Sequence, residues 1–365
     1  MNQAASTGKP ILIFPAGMPR SIEYLEQCLR NGWAVLGSSS LAYDVAKSKY
    51  PAWAPLPFIT DPGFDGALAS LIAEHEIAGI YTPNLVAWSY LNRMLTTIAP
   101  GVPLINDSPI REEVTGYNAA TRRCQHLLEK NLSLASSTPQ KPAASELELS
   151  ALLRHASLIP GMCDDEKIAA LCEIARHSVA GDIVEIGSAY GKSAFVLSRL
   201  AHLYGIGATL CVDPWKNEYL IQHDSTGLVD TFVKEVDSDE ILRVFEMSLL
   251  PYSNGNLNYL RLPSTQAVHH YATHGEATTT AFGTTAYCGK IAILHIDGNH
   301  SYDAVRDDVA AWSDHVASGG WIIIDDYVWP YGDGPQRVGD QFLSDNQSRI
   351  SSAFVMGTAL FLQLH

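Results

Sequence analysis

Two apolar runs of the chain end in acids. KIAILHID closes on Asp297, with His300 three residues later, and GGWIIIDD closes on the adjacent pair Asp325 and Asp326. Short apolar runs of this kind read as buried strands, and a parallel sheet meets its ligands at the carboxyl ends of its strands. Asp297, Asp325 and Asp326 are therefore expected in one place. Three carboxylates sharing a pocket repel one another unless a cation neutralises them, and hard oxygen donors suit Mg²⁺ or another divalent ion. An imidazole beside such an ion can take the proton of a hydroxyl whose proton affinity the ion has lowered, so His300 reads as a general base. The competing role for a histidine at a strand-to-helix junction is a cap.

Other titratable residues nearby read differently. His295 lies inside the apolar strand and is expected as a satisfied core histidine. Asp303, Asp307 and Asp314 fall at helical spacing and read as a solvated face. His269, His270 and His274 read as a surface or lid feature for want of an acid partner.

The strands that position the acids belong to a series that begins at GDIVEIGSAYGKSAFVLSRL, residues 181–200. The segment reads as strand, glycine-bearing turn and helix, which sets backbone N–H groups and a helix N-terminus beside a ligand. A phosphate-binding P-loop needs four residues between its glycines, and Gly187 and Gly191 enclose three. The dinucleotide fingerprint fails for want of a middle glycine. What remains is E-x-G-x-x-x-G, formed by Glu185, Gly187 and Gly191, which resembles the first motif of class I S-adenosylmethionine-dependent methyltransferases. That resemblance implies cofactor contacts at Glu185, Gly187, Ser188, Tyr190, Gly191 and Ser193. The next strand, ATLCVDPW, ends in Asp213, where an acid can accept hydrogen bonds from ribose hydroxyls, with Trp215 placed to cover the base or simply to pack. Asp297 completes the expected cofactor contacts. Ser264, after the third strand LNYLRL, reads as a helix cap.

The first hundred or so residues alternate strand and helix signals: PILIFPAG, WAVLGSSS, PLPFIT, AGIYTPN and VPLIND as strands, with SIEYLEQCLRNG, GALASLIAEHEI and AWSYLNRMLTTIA as helices. Such alternation implies an open parallel sheet covered on both faces. Over residues 9–112 it resembles the Rossmann-like domain that precedes the catalytic domain of ATP-grasp ligases, and no ATP-binding residue is carried over. The expected organisation is α/β with two doubly wound domains. Residues 1–112 form the first. Residues 113–160 form a helical connector whose SLASSTPQKPAASELE stretch is the linker, and 161–365 form a methyltransferase domain with a mostly parallel seven-stranded sheet.

The bulk properties narrow the partners. Lys+Arg 24 against Asp+Glu 39 gives a formal charge of -15, which repels phosphate backbones and anionic lipid surfaces. No nucleic acid and no membrane is expected. MNQAASTGKP lacks the basic-then-apolar build of a signal peptide, so the expected location is cytoplasmic. Six cysteines are scattered without a CxxC pair and read as small buried hydrophobes.

IDGNHSY followed by GGWIIIDDY, with the lead-in IPGMCDDEK, resembles the metal-dependent O-methyltransferases that modify sugars of macrolide antibiotics such as macrocin and mycinamicin, over about residues 158–330. The resemblance implies Mg²⁺ on Asp297, Asp325 and Asp326, His300 as base, S-adenosylmethionine as methyl donor, and a small-molecule hydroxyl acceptor, a sugar among the candidates, in a homo-oligomer. Tyr327, Trp329 and Tyr331 offer aromatic faces to such an acceptor or plug the core. Residues 267–290 exceed the family's usual length and read as a lid or an oligomer contact. Two other classes stay open: an iron-dependent enzyme of the cephalosporin-hydroxylase-like group, and a noncatalytic cofactor-binding module.

Overall fold

A computed structural model describes residues 8–365, apart from Asn131, Ala135, Ser137, His223, Ser225, Thr226 and the side chain of Phe232. Most of MNQAASTGKP and parts of the expected linker lie outside the described residues. The chain divides into two compact units at Asn118 and Ala119, within one long helix, α4.

The first unit holds β1 (Ile11–Ile13), α1 (Pro19–Arg30), β2 (Val35–Gly37), α2 (Phe64–Glu74), β3 (Gly79–Tyr81), α3 (Leu85–Ile98) and the start of α4 (Pro109–Glu129). The three strands pair in parallel in the order β2-β1-β3. Alternate residues serve opposite faces, as the two-residue period of a strand requires. Leu12, Leu36 and Ile80 pack with α2 and α3, while Ile11, Ile13 and Val35 pack with α1. The expected strands PLPFIT and VPLIND do not form. Single bridges, Gly37 to Trp53 and Ile80 to Leu104, stand at the two sheet edges instead. Pro55 and Pro57 remove the N–H donors that a strand after Trp53 needs.

The second unit opens with α5 (Glu146–Ala156) and α6 (Asp165–Arg176). Between them and α4, described residues of the expected linker are tied down, with Lys141 N–H on Arg176 O at 2.9 Å and Lys141 Nζ on Tyr204 O at 2.8 Å. There follow β4 (Asp182–Ile186), α7 (Lys192–Tyr204), β5 (Thr209–Val212), α8 (Leu228–Val233), α9 (Ser238–Leu249) and β6 (Leu257–Leu260). After these come α10 (Ser264–His274), the hairpin β7 (Glu276–Thr279) and β8 (Gly283–Ala286), then β9 (Ile291–Ile296) and α11 (Tyr302–Trp312). β10 (Val316–Ile324), α12 (Gly334–Asp345), β11 (Ile350–Met356) and β12 (Ala359–Leu364) close the chain.

Seven of these strands form one sheet in the order β11-β12-β10-β9-β4-β5-β6, parallel except at β12, which runs antiparallel to both neighbours. This is the mostly parallel seven-stranded sheet that the sequence predicts. Strands buried on both faces must be apolar throughout, and they are. Ile183, Cys211, Ile293 and Trp321 face the layer of α5, α6, α7 and α9, whereas Val184, Leu210, Leu294 and Ile322 face α10, α11 and α12. From β4 the chain winds outward through β5 to β6, and later returns on the other side as β9 and β10. The reversal opens a crevice at the carboxyl ends of β4 and β9, where α/β sheets bind ligands.

The extra residues 267–290 do not reach that crevice. The β7–β8 hairpin is stitched to β6 by Asn258, whose amide donates to Ala277 O and Gly283 O at 2.8 Å each. Asp182, the first residue of β4, accepts from Tyr271 Oη at 2.7 Å and from the N–H groups of Cys288 and Gly289 at 3.1 and 3.0 Å. The segment is thus held at the amino end of the sheet, opposite the acids, which corrects the lid reading. Asp182 is 2% exposed, so Asp182→Ala leaves three donors without an acceptor. We expect a loss of about 3 kcal/mol in urea denaturation, with the same change at the exposed Asp303 costing under about 0.5 kcal/mol.

Candidate active site

Gly187 follows β4 with φ 81°, and a Cβ there would stand 2.1 Å from the carbonyl oxygen of Asp297. Only glycine allows the turn after β4 to lie against the end of β9. The cleft beside this contact measures about 270 Å³, and its wall includes Gly187, Asp213, Trp215, Ser264, Asp297 and Asp308. Asp213 accepts from Ala189 N–H at 3.0 Å and Trp215 N–H at 2.7 Å. A carboxylate has about four lone-pair directions, so acceptor capacity remains for a ligand's hydroxyls. Trp215 sits at φ 42°, unusual for a bulky residue. Its backbone is held there by Asp213 and by Arg261, which donates to its carbonyl at 3.1 Å, and its indole N–H donates to Ala189 O at 3.1 Å. The ring packs on Phe245 and Tyr259. It is both a core residue and a wall of the cleft. Asn299 clamps the opposite rim, donating to Tyr219 O at 2.9 Å and Ile221 O at 2.7 Å.

The acids divide into two groups. Asp325, at the end of β10 and 3% exposed, is hydrogen-bonded through Oδ2 to the ammonium of Lys167, a residue of α6 that is itself 1% exposed. Its Oδ1 accepts from Asp326 N–H at 2.9 Å, and His295 Nε2 lies 3.5 Å from its Oδ2. His295 Nδ1 in turn meets Glu185 Oε1 at 3.0 Å, because β4 and β9 pair these two residues in register. Burial alone would raise Asp325, but Lys167 and His295 hold it well below the usual carboxylate range. Burial lowers His295, yet the carboxylates of Asp325 and Glu185 on its two sides outweigh that and lift it to about 9.

The second group faces outward. Asp326 has a left-handed backbone, φ 49°, which aspartate tolerates better than most residues. It diverges from its neighbour, and its Oδ2 lies 3.3 Å from His300 Nε2, which is also 3.8 Å from Asp297 Oδ1. Burial raises both Asp297, to about 7, and Asp326. His300 is lowered by burial but raised on balance by the neighbouring carboxylates of Asp297 and Asp326. Trp329 stands edge-on to the His300 ring at 4.5 Å, with Tyr331 5.4 Å beyond it. Tyr327 turns away to Asp340, at 2.6 Å.

Donor atoms of Asp297, His300 and Asp326 all lie within 4.8 Å of one another, as do those of His295, Asp297 and Asp325. The two carboxylates of this partly exposed group, Asp297 and Asp326, suit a divalent cation, with the His300 imidazole beside them. The three carboxylates expected together do not form one such group among the described residues, because Lys167 draws Asp325 inward. Neither group contains two histidines, the set that a non-haem iron site of the facial type needs.

Several expected contacts lie elsewhere. Glu185 is fully buried on His295 and does not line the cleft. Ser188 and Ser193 are buried, Tyr190 packs against the core, and Gly191 abuts Phe245, where a Cβ would meet the ring at 2.9 Å. Ser264 is no cap. It is the first residue of α10, and its hydroxyl accepts from Trp312 Nε1 at 2.9 Å. Asp307, read as solvated, reaches the cleft wall beside Asp308. Lys167 is the residue that sequence reasoning passed over, although it closes the lead-in IPGMCDDEK and shares a helix face with Ile168, Leu171 and Ile174.

Residues 184–327 match the family model described as a methyltransferase domain, so the C-terminal half of the chain carries a methyltransferase domain. No curated protein matches the sequence. Similar solved structures include the O-methyltransferase NovP, 14% identical with a TM-score of 0.38, covering 61% of this chain and 83% of that one. CalS11, a TDP-rhamnose 3'-O-methyltransferase of calicheamicin biosynthesis, is 15% identical with a TM-score of 0.36, covering 71% and 96%. MycE, a methyltransferase of the mycinamycin pathway in complex with Mg and SAH, is 15% identical with a TM-score of 0.31, covering 51% and 45%. No helix among the described residues is long and apolar enough to cross a membrane.

Breaking a buried ion pair from one side strands the other charge. Lys167→Met should therefore cost about 3–5 kcal/mol in denaturant unfolding, and Lys167→Met with Asp325→Leu should recover much of it. A single-variant cost below about 1 kcal/mol would show that the pair is not a structural element of the site.

Proposed function

We propose that the C-terminal half transfers a methyl group from S-adenosylmethionine to a hydroxyl of a sugar or glycosylated natural product, assisted by Mg²⁺ or another divalent cation, with His300 as general base. The observation that carries this reading is the approach of His300 to Asp297 and Asp326, where Asp297 shares the wall of a cleft with Gly187 and Asp213. S-adenosylmethionine supplies a sulfonium methyl, and the chain's task is to hold it, aim an oxygen at it and remove that oxygen's proton. Gly187 lets backbone approach the cofactor, and Asp213 accepts from the ribose hydroxyls. Asp297 and Asp326, with Asp325 behind them, would hold the cation, which would supply Lewis-acid lowering of the acceptor hydroxyl's proton affinity. Its charge would also offset the two carboxylates that raise His300, favouring the neutral imidazole. His300 Nε2 then takes the hydroxyl proton. Trp329 and Tyr331 provide the aromatic wall for the acceptor ring.

Calorimetry with S-adenosylmethionine, with and without Mg²⁺, tests the donor. No binding in either condition would overturn the reading. Turnover is then followed with a radiolabelled methyl donor over a panel of nucleotide-linked deoxysugars and glycosides. His300→Ala should keep cofactor affinity and lose about 10²–10⁴-fold in kcat. Asp326→Asn should instead raise the Mg²⁺ concentration needed for half-maximal rate, and chelation should abolish wild-type turnover until the ion is restored. Full turnover in His300→Ala would make this histidine a cap.

A further inference from the structure

The two edges of the seven-stranded sheet are treated differently. At one edge β6 is engaged by the β7–β8 hairpin: Asn258 donates to Ala277 O and Gly283 O, and Thr285 Oγ1 donates to the backbone carbonyl of Leu257 at 3.2 Å. At the other edge β11 has β12 on one side and no strand on the other. A strand left open in this way is a template for a further strand, and proteins that stay apart blunt it with charge or proline. From Ile350 to Met356 the sequence ISSAFVM has neither.

The register within β11 shows which groups face outward. The two-residue turn Gly357–Thr358 makes Met356 and Ala359 a hydrogen-bonded pair, and the pattern alternates back along the strand. Phe354 is thus hydrogen-bonded to Phe361, whereas Ala353 and Val355 turn their N–H and C=O groups away from β12. Among the described residues no other part of the chain bonds to those groups. The register shift between Ile350 and Ser352 lies before them and leaves this stretch regular. Ala353 is exposed, and Val355 is 46% exposed. Phe354 points to the opposite face and stacks flat on Phe361 with ring centroids 4.8 Å apart, the spacing of neighbouring strands.

We propose that β11 pairs antiparallel with β11 of a second copy of this chain, about a two-fold axis at Phe354. Ala353 of each copy then exchanges both hydrogen bonds with Val355 of the other, which satisfies the outward groups of both residues. Phe354 meets Phe354 in the pair without hydrogen bonds, where side chains come closest, so the stack on Phe361 continues across the axis. Charge agrees with this direction. Arg349 precedes one end of the strand, and the Asp164 carboxylate lies at the other, 2.8 Å from where a Cβ on Gly357 would stand. Antiparallel pairing sets the basic end of each copy toward the acidic end of the other. The pairing is independent of the methyl-transfer reading.

Sedimentation velocity of the full chain, with no ligand added, tests the pairing. Wild type should run as a dimer at micromolar concentration and above. Val355→Lys puts a charge on the open edge and should raise the dimer dissociation constant by about 10-fold or more. Ala353→Pro removes an outward N–H that β12 does not use, and should weaken the dimer as much while keeping the circular dichroism spectrum of wild type. Adding Ala353→Glu to Val355→Lys sets opposite charges against each other across the axis and should restore the dimer. A wild type that is monomeric throughout, a dimer that either single variant leaves unweakened, or a double variant no tighter than Val355→Lys overturns the pairing.

Discussion

The buried pair of Lys167 and Asp325 is the interaction on which the rest of the site depends. It joins α6, which precedes the sheet, to the end of β10, 158 residues later. Two ions this deep are costly to dehydrate, and the arrangement holds only because each finds further partners. Lys167 also approaches Met162 O at 3.5 Å and Asp297 at 3.9 Å, while Asp325 takes the Asp326 N–H and faces His295. The ammonium thereby fixes the ends of β9 and β10 against each other.

The second constraint is steric. Gly187 and Asp297 touch backbone to backbone across the point where the winding reverses, so the glycine loop and the first acid are positioned by the same contact. His295 and Glu185, paired in register one layer below, carry charge complementarity through the two central strands. A ligand cleft and an acid group on adjacent strands thus share one rigid floor.

What could be read from the sequence was whatever local pattern determines. The apolar runs of β9 and β10, their acid ends and the glycine turn after β4 were legible because strand burial and backbone permissiveness are written in consecutive residues. Lys167 was not, because a lysine two residues into a helix looks solvated until the partner on a distant strand is known. Indeed its own N–H is held by the Asp164 cap, an ordinary helix start. The strand expected at PLPFIT failed on its prolines. The acids of α11 show both outcomes: Asp303 lies on the open face, whereas Asp308 falls in register with Val305, Val309 and Trp312. That stripe was visible, and the polar residue inside it was the signal to heed.

The division of the acids changes what a cation has to do. Lys167 of α6 and His295 of β9 face Asp325 from two sides, so the inner acid already has cationic partners in the protein itself. The outer pair, Asp297 and Asp326, faces His300, with the Lys167 ammonium 3.9 Å behind Asp297, and the same two carboxylates that suit a divalent ion also favour the imidazolium. On the proposed reading, an ion held by this pair would compete with the imidazolium for one small patch of negative charge, so that its binding would favour the neutral imidazole that a base must be.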